Sequence, residues 1–305
     1  MATKTLTEIG VLGLYTETSL HCGAEGGTGY VDLPIQRERH TQYPVIPGST
    51  IKGVLRDELS DLGKDKVTAI FGAEDASSPG TVSFGDGILV AFPVRSSGAP
   101  FHWVTCPFVL ERAFRSLGAE LTIKPPAPHR AWGGGEKEES VLLEEIRLRT
   151  TPGSDFFGEN GALGKLLEIL PKGGSFEYTR KLFARRLLIV SDADFKELVE
   201  TGTEVLTRIK LNFHGTTRTL KRETLTEEEK KDVDVSDIDL QGNLFVEEVL
   251  PPETLFLTPL RAGGQAEDLV AALEKRPVIR LGGDETIGRG VTHVTFFDRR
   301  NGKAE

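Results

Sequence analysis

Cysteine, methionine and tryptophan are scarce in this chain of 305 residues, which has two, one and two of them. Cys22 and Cys106 are too few for a disulfide framework and suit a reducing compartment, so a cytoplasmic location is expected. No CxxC, HxH or HExxH pattern occurs, which argues against a zinc site. Apolar runs long enough to cross a bilayer are missing too. The opening residues, MATKTLTEIGVLG, lack a signal-peptide stretch, and no membrane partner is expected. A GK[ST] phosphate loop is absent, which disfavours ATP binding. Positive charge is in deficit: 37 Lys and Arg stand against 46 Asp and Glu, a net −9 that taken alone argues against a nucleic-acid partner.

That deficit is unevenly spread. Residues 203–222 hold Arg208, Lys210, Arg218, Lys221 and Arg222 against a single acid, Glu204. The following stretch, 223–239, is dominated by Asp and Glu, and residues 33–56 carry Arg37, Arg39, Lys52 and Arg56 against Glu38 alone. Basic surface is therefore local, although a charge run by itself is usually a solvated face.

Hydrophobic periodicity supplies the elements. EIGVLGLYTETSLH reads as an opening strand. PGSTIKGVLRDELSDLG reads as a helix with Ser49 as N-cap, an Ile51, Val54, Leu55, Leu59 stripe, and Gly63 as its end. Two β-rich runs, TVSFGDGILVAFPV and HWVTCPFVLERAF, lead into a helix near 109–117, and residues 124–140 read as loop. LLIVSDADFKELVETG is a strand followed by a helix capped by Ser191 or Asp192, and TRIKLNFHGTTRTLKRETL resembles a basic hairpin with its tip at HG. AEDLVAALEKR is helical by period, and RPVIRLGGDETIGRGVTHVTFFD reads as strand, glycine loop, strand. Without steady βαβα alternation, an α+β sandwich of the ferredoxin or RRM type with long insertions fits best.

Three segments carry chemistry. At the helix opening near Ser49, unpaired N–H groups, Gly53 and the i,i+4 pair Lys52 and Arg56 make a phosphate seat, if the face is more than a solvated one. In LGGDETIGRGV, Gly282, Gly283, Gly288 and Gly290 bracket Arg289; such a loop can wrap a sugar–phosphate backbone, or be a plain hairpin turn. The irregular stretch 22–48 is too long to be an idle connection and carries Asp32 after its glycines. A lone Asp there usually caps a turn. His21 is close in sequence, and of Glu247 and Glu248 only one can join Asp32, because neighbours on a strand face opposite ways.

The linked set H21-x10-D32-LPIQRERHT-x2-P-x-IPGSTIKGVLR, FPVRSSGAPFHWVTCP, VSDADF, FVEEVLPPETLF and LGGDETIGRG resembles a known family. It is similar to the fourth-numbered backbone subunit of the type III-B (Cmr) CRISPR effector complex, in the RAMP superfamily and the seventh Cas protein family. The resemblance runs through most of the chain. It implies an α+β fold: a modified RRM/ferredoxin-like palm with long inserted loops and a thumb β-hairpin. One domain over 1–305 is expected, with a catalytic loop at 22–48, an inserted region at about 124–180, and the thumb and acidic tract at about 203–245. It implies that Ser49, Lys52, Gly53, Arg56, Arg37, Arg39, Arg218, Gly282, Gly283, Gly288, Arg289 and Gly290 bind RNA, and that Asp32, His21 and Glu247 serve cleavage. A divalent metal at Asp32, Mg2+ or Mn2+, is implied as well. So are the partners: guide crRNA, single-stranded target RNA, other Cmr complex subunits, and further copies of the chain in a helical filament.

The chemistry can also be read from the residues. RNA brings its own nucleophile, the 2′-OH, so a protein needs chiefly to position it and stabilise charge. Asp32 could hold the metal or accept the 2′-OH proton, and the expected products are a 2′,3′-cyclic phosphate and a 5′-OH. A non-catalytic crRNA-binding filament subunit is the main alternative. A guide-precursor nuclease working by His21 and His40 is a third.

Overall fold

The computed structural model describes residues 7–24, 29–135, 139–158, 161–209, 244–263 and 266–299. In chain order the elements are β1 (Thr7–Thr16), β2 (Val45–Ile46), α1 (Gly48–Glu58), α2 (Lys64–Phe71), β3 (Val82–Phe84), β4 (Gly87–Arg95), β5 (Phe101–Thr105) and α3 (Pro107–Leu117). They continue with β6 (Arg130–Gly133), β7 (Glu139–Leu143), β8 (Ile146–Pro152), α4 (Ser154–Phe157), α5 (Leu163–Leu167), α6 (Glu177–Arg186), β9 (Leu187–Val190) and α7 (Asp192–Thr201). The last are β10 (Glu204–Ile209), β11 (Leu244–Val249), β12 (Leu255–Ala262), α8 (Ala266–Lys275), β13 (Val278–Arg280) and β14 (Val291–Asp298).

Four antiparallel strands in the spatial order β14-β1-β12-β4 form the centre. Taken along the chain they are the fourth, first, third and second strands of two split β-α-β units, β1-α1-β4 and β12-α8-β14. That is the ferredoxin-like, RRM arrangement. Side chains alternate across β1: Leu12 and Leu14 join Ile51 and Leu55 of α1 and Leu269 and Leu273 of α8 in one core. Val11 and Tyr15 join Leu110 and Phe114 of α3, Leu166 of α5 and Phe183 of α6 in a second core on the opposite face. Helices therefore cover both faces, which is why β4 reads GILVAFPVR, continuously apolar up to its exposed final Arg95 rather than alternating.

The same sheet continues past β4 through β5, β9, β6, β8 and β7. This corrects the reading of 124–140 as loop. Arg130–Gly133 is only four residues long and shows no period of its own, yet it pairs with β9 on one side and β8 on the other. The basic hairpin also needs amendment. Its first arm, β10, pairs with β11, with Arg208 opposite Phe245 and Ile209 opposite Leu244. The stretch 210–243, with the expected HG tip, Arg218 and the acidic tract, lies outside the described residues.

α1 corrects the sequence on its cap. Ser49 is the second helical residue and exposed, and it makes no capping bond. Asp86, in the turn between β3 and β4, accepts from the Gly48 N–H at 2.8 Å, so the cap arrives from a distant segment. Gly48 itself sits against the Phe84 carbonyl, where a Cβ would lie at 2.7 Å. In α7, by contrast, Ser191 is the N-cap and accepts from the Asp194 N–H at 3.1 Å, as its sequence indicates. Replacing Asp86 by Ala should destabilise the chain by about 1 kcal/mol, the usual worth of a capping acceptor. Urea unfolding reads this, and an unchanged midpoint would remove Asp86 from that role.

Candidate nucleic-acid interface and active site

The loop that carries Asp32 is a folded-back ribbon. Gln36 N donates to the Cys22 carbonyl at 2.7 Å and Ala24 N to the Pro34 carbonyl at 2.9 Å, so the two limbs pair. The returning limb then lies parallel to β11, with Leu33 beside Glu247. Asp32 N and Leu33 N both donate to the Val246 carbonyl at 3.0 Å, and Val246 N donates to Asp32 Oδ2 at 2.8 Å. Asp32 is thus an exposed carboxylate with one oxygen tied to a strand. Tyr30, two residues before it, is fully exposed.

His21, at the base of the loop, is buried. Its Nδ1 lies 2.7 Å from the Glu248 carbonyl. A carbonyl only accepts, so Nδ1 carries a proton, and in the neutral ring Nε2 keeps the free lone pair. Nε2 points toward Gly23, where a Cβ would come within 2.8 Å of it.

Glu247 and Glu248 face opposite ways, as the strand period requires. Glu247 is 1% exposed and its Oε2 accepts from Arg208 of β10 and Arg289 of the glycine loop. Asp284 accepts from the same two guanidinium groups, closing a box of two acids and two arginines. The hydrogen bond from Arg208 pulls the Asp284 carboxyl below the usual carboxylate range, against a smaller opposing effect of burial. Arg208 also lies over the Phe245 ring, 5.3 Å from its centroid. On the other face Glu248 accepts from Arg37 at 2.6 Å, Thr203 at 2.7 Å and Ile35 N at 3.1 Å. Burial pushes the Glu248 carboxyl up, but those bonds and the Arg37 charge outweigh it and hold it below its ordinary value.

Two expectations change here. Glu247 is not an open second carboxylate beside Asp32; it is sealed between two arginines. Arg289 and Arg37 are not free cations on a surface, because their guanidinium groups are spent on Glu247, Asp284 and Glu248. Arg39 is exposed, while Arg218 lies outside the described residues. Arg208 and Asp284 complete the box and went unassigned in the sequence. Their signal was weak, an arginine in a basic run and an acid between glycines.

The glycine loop owes its shape to four residues with positive φ: Gly282 (79°), Asp284 (64°), Gly288 (82°) and Gly290 (73°), three of them glycine. At Gly282 a Cβ would sit 2.2 Å from the His21 carbonyl, and at Gly290 1.9 Å from the Leu281 carbonyl. Gly283 N donates to the same His21 carbonyl at 2.8 Å, which fastens the loop to the base of the Asp32 ribbon. On α1, Gly53 is exposed with open space where a side chain would be, and Lys52 has no ion pair among the described residues. Arg56 lies 3.6 Å from Glu74. Gly53 and Arg56 line a groove of about 770 Å³ with Lys64, Thr68 and Ser77.

Among the described residues no group of three or more His, Cys, Asp or Glu could hold a metal ion. Among the described residues of the ribbon the exposed carboxylate is Asp32. This suits a hard cation that keeps most of its waters, as Mg2+ does, and not a fully protein-caged ion. No helix among the described residues is long and apolar enough to cross a membrane.

The Glu248 contacts set a pH dependence. Because its folded-state carboxyl lies below the unfolded range, its stabilisation is present above about pH 4.3 and fades as acid protonates it. Arg37→Ala leaves that buried carboxylate without its cation and should cost about 3 kcal/mol at pH 7. At pH 3 the cost should shrink. Equal losses at both pH values in urea unfolding would show that charge pairing is not what Arg37 supplies.

The sequence matches the RAMP superfamily over residues 14–293. It is 33% identical to the CRISPR system Cmr endoribonuclease Cmr4 of Pyrococcus furiosus, across 95% of this chain and 96% of that protein. The crystal structure of oligomeric Cmr4 from Pyrococcus furiosus is similar with a TM-score of 0.66 at 28% identity, covering 96% of this chain and 99% of the other. A chain of the type III-B Cmr-beta complex bound to cognate target RNA has a TM-score of 0.67 at 18% identity, over 97% and 99% of the two chains, a likeness of fold. With the split β-α-β palm and the glycine loop fastened beneath the Asp32 ribbon, these matches make the chain a member of the RAMP superfamily.

Proposed function

We propose that this protein is a guide-RNA-binding backbone subunit of a type III-B CRISPR effector, and that it cleaves complementary target RNA at regular intervals through Asp32. The observation that carries the reading is the placement of Asp32. It is an exposed carboxylate on a ribbon registered to β11, beside a loop that approaches closely because it is built on glycine. End-to-end similarity to a protein named as an endoribonuclease supports it, as does the fold shared with a complex bound to target RNA.

The chain supplies mainly position. Half-buried Lys52 and the open surface at Gly53 offer the guide backbone a cation and close approach in the first turns of α1. The ribbon presents Asp32 to a target nucleotide held with its 2′-OH in line with the adjacent phosphorus. The 2′-oxygen then bonds to phosphorus, the bond to the 5′-oxygen breaks and that oxygen takes a proton from water, and the products are a 2′,3′-cyclic phosphate and a 5′-OH. Asp32 accepts the 2′-OH proton, or its carboxylate would hold a divalent cation, Mg2+ or Mn2+. A cation there supplies charge neutralisation at the phosphate. His21, with Nδ1 committed to the Glu248 carbonyl, has Nε2 as its one available base atom. Glu247 acts from behind, holding β11 and through it the Asp32 ribbon. Guide crRNA, target RNA, other Cmr subunits and further copies of the chain are the partners.

The second reading, a structural crRNA-binding subunit without cleavage, draws on the single carboxylate donor and its existing bond to Val246. Asp32→Asn separates the two. Assembled with guide RNA and its partner subunits, the variant should bind labelled complementary RNA as the parent does and lose about 100-fold or more of the cleavage rate. The parent should give a ladder of evenly spaced products in Mg2+ that EDTA abolishes. Undiminished cutting by the variant would transfer the chemistry elsewhere.

A further inference from the structure

The charge box behind the Asp32 ribbon balances only because of its outermost member. Glu247 brings one negative charge and meets two guanidinium groups, Arg208 and Arg289, so the sealed carboxylate alone would leave one positive charge over. Asp284 cancels that surplus from the solvent side: its side chain is 20% exposed, against 2% for Glu247. Both guanidinium groups converge on a single oxygen, Asp284 Oδ2, with Arg289 Nη1 at 2.9 Å. Each reaches both acids through Nη1, and its other N–H groups have no acceptor among the described residues. The box thus has an inner acceptor closed to water and an outer one that water can reach.

Asp284 holds that place against the preference of its backbone. Its φ of 64° lies in the left-handed region, where glycine is at ease and most side chains are not. The other positive-φ positions of the loop, 282, 288 and 290, are glycine. The loop is also tethered through its backbone, by Gly283 N to the His21 carbonyl and by Gly290 N to the Ser19 carbonyl at 3.0 Å, so the carboxylate is not its only anchor. Shape would favour glycine at 284; charge accounts for aspartate. An anionic oxygen shared by two guanidinium groups is, moreover, an arrangement that a non-bridging phosphate oxygen can take over unchanged.

We propose that Asp284 is a built-in competitor for phosphate, holding Arg208 and Arg289 in the free chain until a phosphate group of the bound RNA takes its place between them. On the reading of this chain as an RNA-binding subunit, on which this depends, displacement exchanges one set of charge-assisted hydrogen bonds for another. Glu247 keeps both of its cations, and the brace behind Asp32 stays closed. A phosphodiester carries the single negative charge that the box needs, whereas an uncharged ligand leaves Asp284 where it is.

Two variants test the assignment. Asp284→Asn removes the charge but keeps a residue type that tolerates positive φ, and Asp284→Gly removes carboxylate and strain together. Binding of the full chain to a labelled single-stranded RNA of mixed sequence, measured over a range of KCl concentrations, should be ten-fold tighter for each variant than for the parent. The fall of log affinity with log salt should steepen by about 0.7, because no released carboxylate recaptures a cation. NMR titration of the Asp284 carboxyl reads the unmodified chain. The hydrogen bond from Arg208 holds that carboxyl low in the free chain, and it should rise when RNA is bound. Variants that bind RNA no more tightly than the parent would overturn the proposal and make Asp284 a plain brace, as would a carboxyl that stays low with RNA bound. A parent that binds RNA alongside such variants leaves the functional reading standing and removes only the competitor; a parent that binds no RNA removes both.

Discussion

Four charged side chains decide where the candidate catalytic carboxylate stands. Arg208, Glu247, Arg289 and Asp284 come from β10, β11 and the glycine loop, and alternate in sign around a closed box. Sealing Glu247 away from water is unfavourable unless its charge is matched, and two guanidinium groups match it. The match holds only while all three segments keep their relative positions. β11 is thereby fixed against the loop, and Val246, next to Glu247, holds Asp32 by backbone and side chain together. Glu248 works on the opposite face, binding Arg37, Thr203 and Ile35 N, and so fastens the base of the same ribbon. The dipeptide EE serves two faces of one strand, and both serve Asp32.

This arrangement accounts for how an acidic protein can present an RNA-binding surface. Several cations near the site neutralise buried acids and leave little net charge there. On the function proposed, the positive field available to an arriving phosphate would come instead from residues outside these pairs, such as Lys52 and Arg39. Net charge is therefore a poor guide to partners in this chain, because it counts the paired and the free alike.

What was legible in the sequence was what local pattern controls. The apolar stripe of α1, the Ser191 cap of α7, the strand–glycine loop–strand at the C-terminal end and the opposed faces of Glu247 and Glu248 all follow from residues a few positions apart. What was not legible depends on pairing between distant segments. Asp86 caps α1 from a turn in the next strand pair, β6 is a strand only because β8 and β9 flank it, and β10 finds its partner in β11. The same holds at the site. Asp32 stands out in sequence by its setting among glycines, but nothing near Glu247 reveals that Arg208 and Arg289 converge on it. Glu247 and Asp32 look alike as carboxylates in a sequence, and only burial separates the brace from the exposed group.

The asymmetry between these two carboxylates follows from the chemistry proposed. When the substrate carries the nucleophile, the protein needs few reactive groups, and accuracy of placement becomes the main requirement. A reactive group must remain accessible to a strand that arrives from solution, so it cannot be fixed by burying it. It has to be fixed through its backbone by neighbours that are buried. β11 meets that need: one face carries a sealed charge box, the other a sealed carboxylate, and its edge offers the Val246 carbonyl and N–H to the ribbon. Rigidity is thus borrowed from a network of paired charges behind the ribbon, and the exposed acid keeps the access that an interior position would deny it.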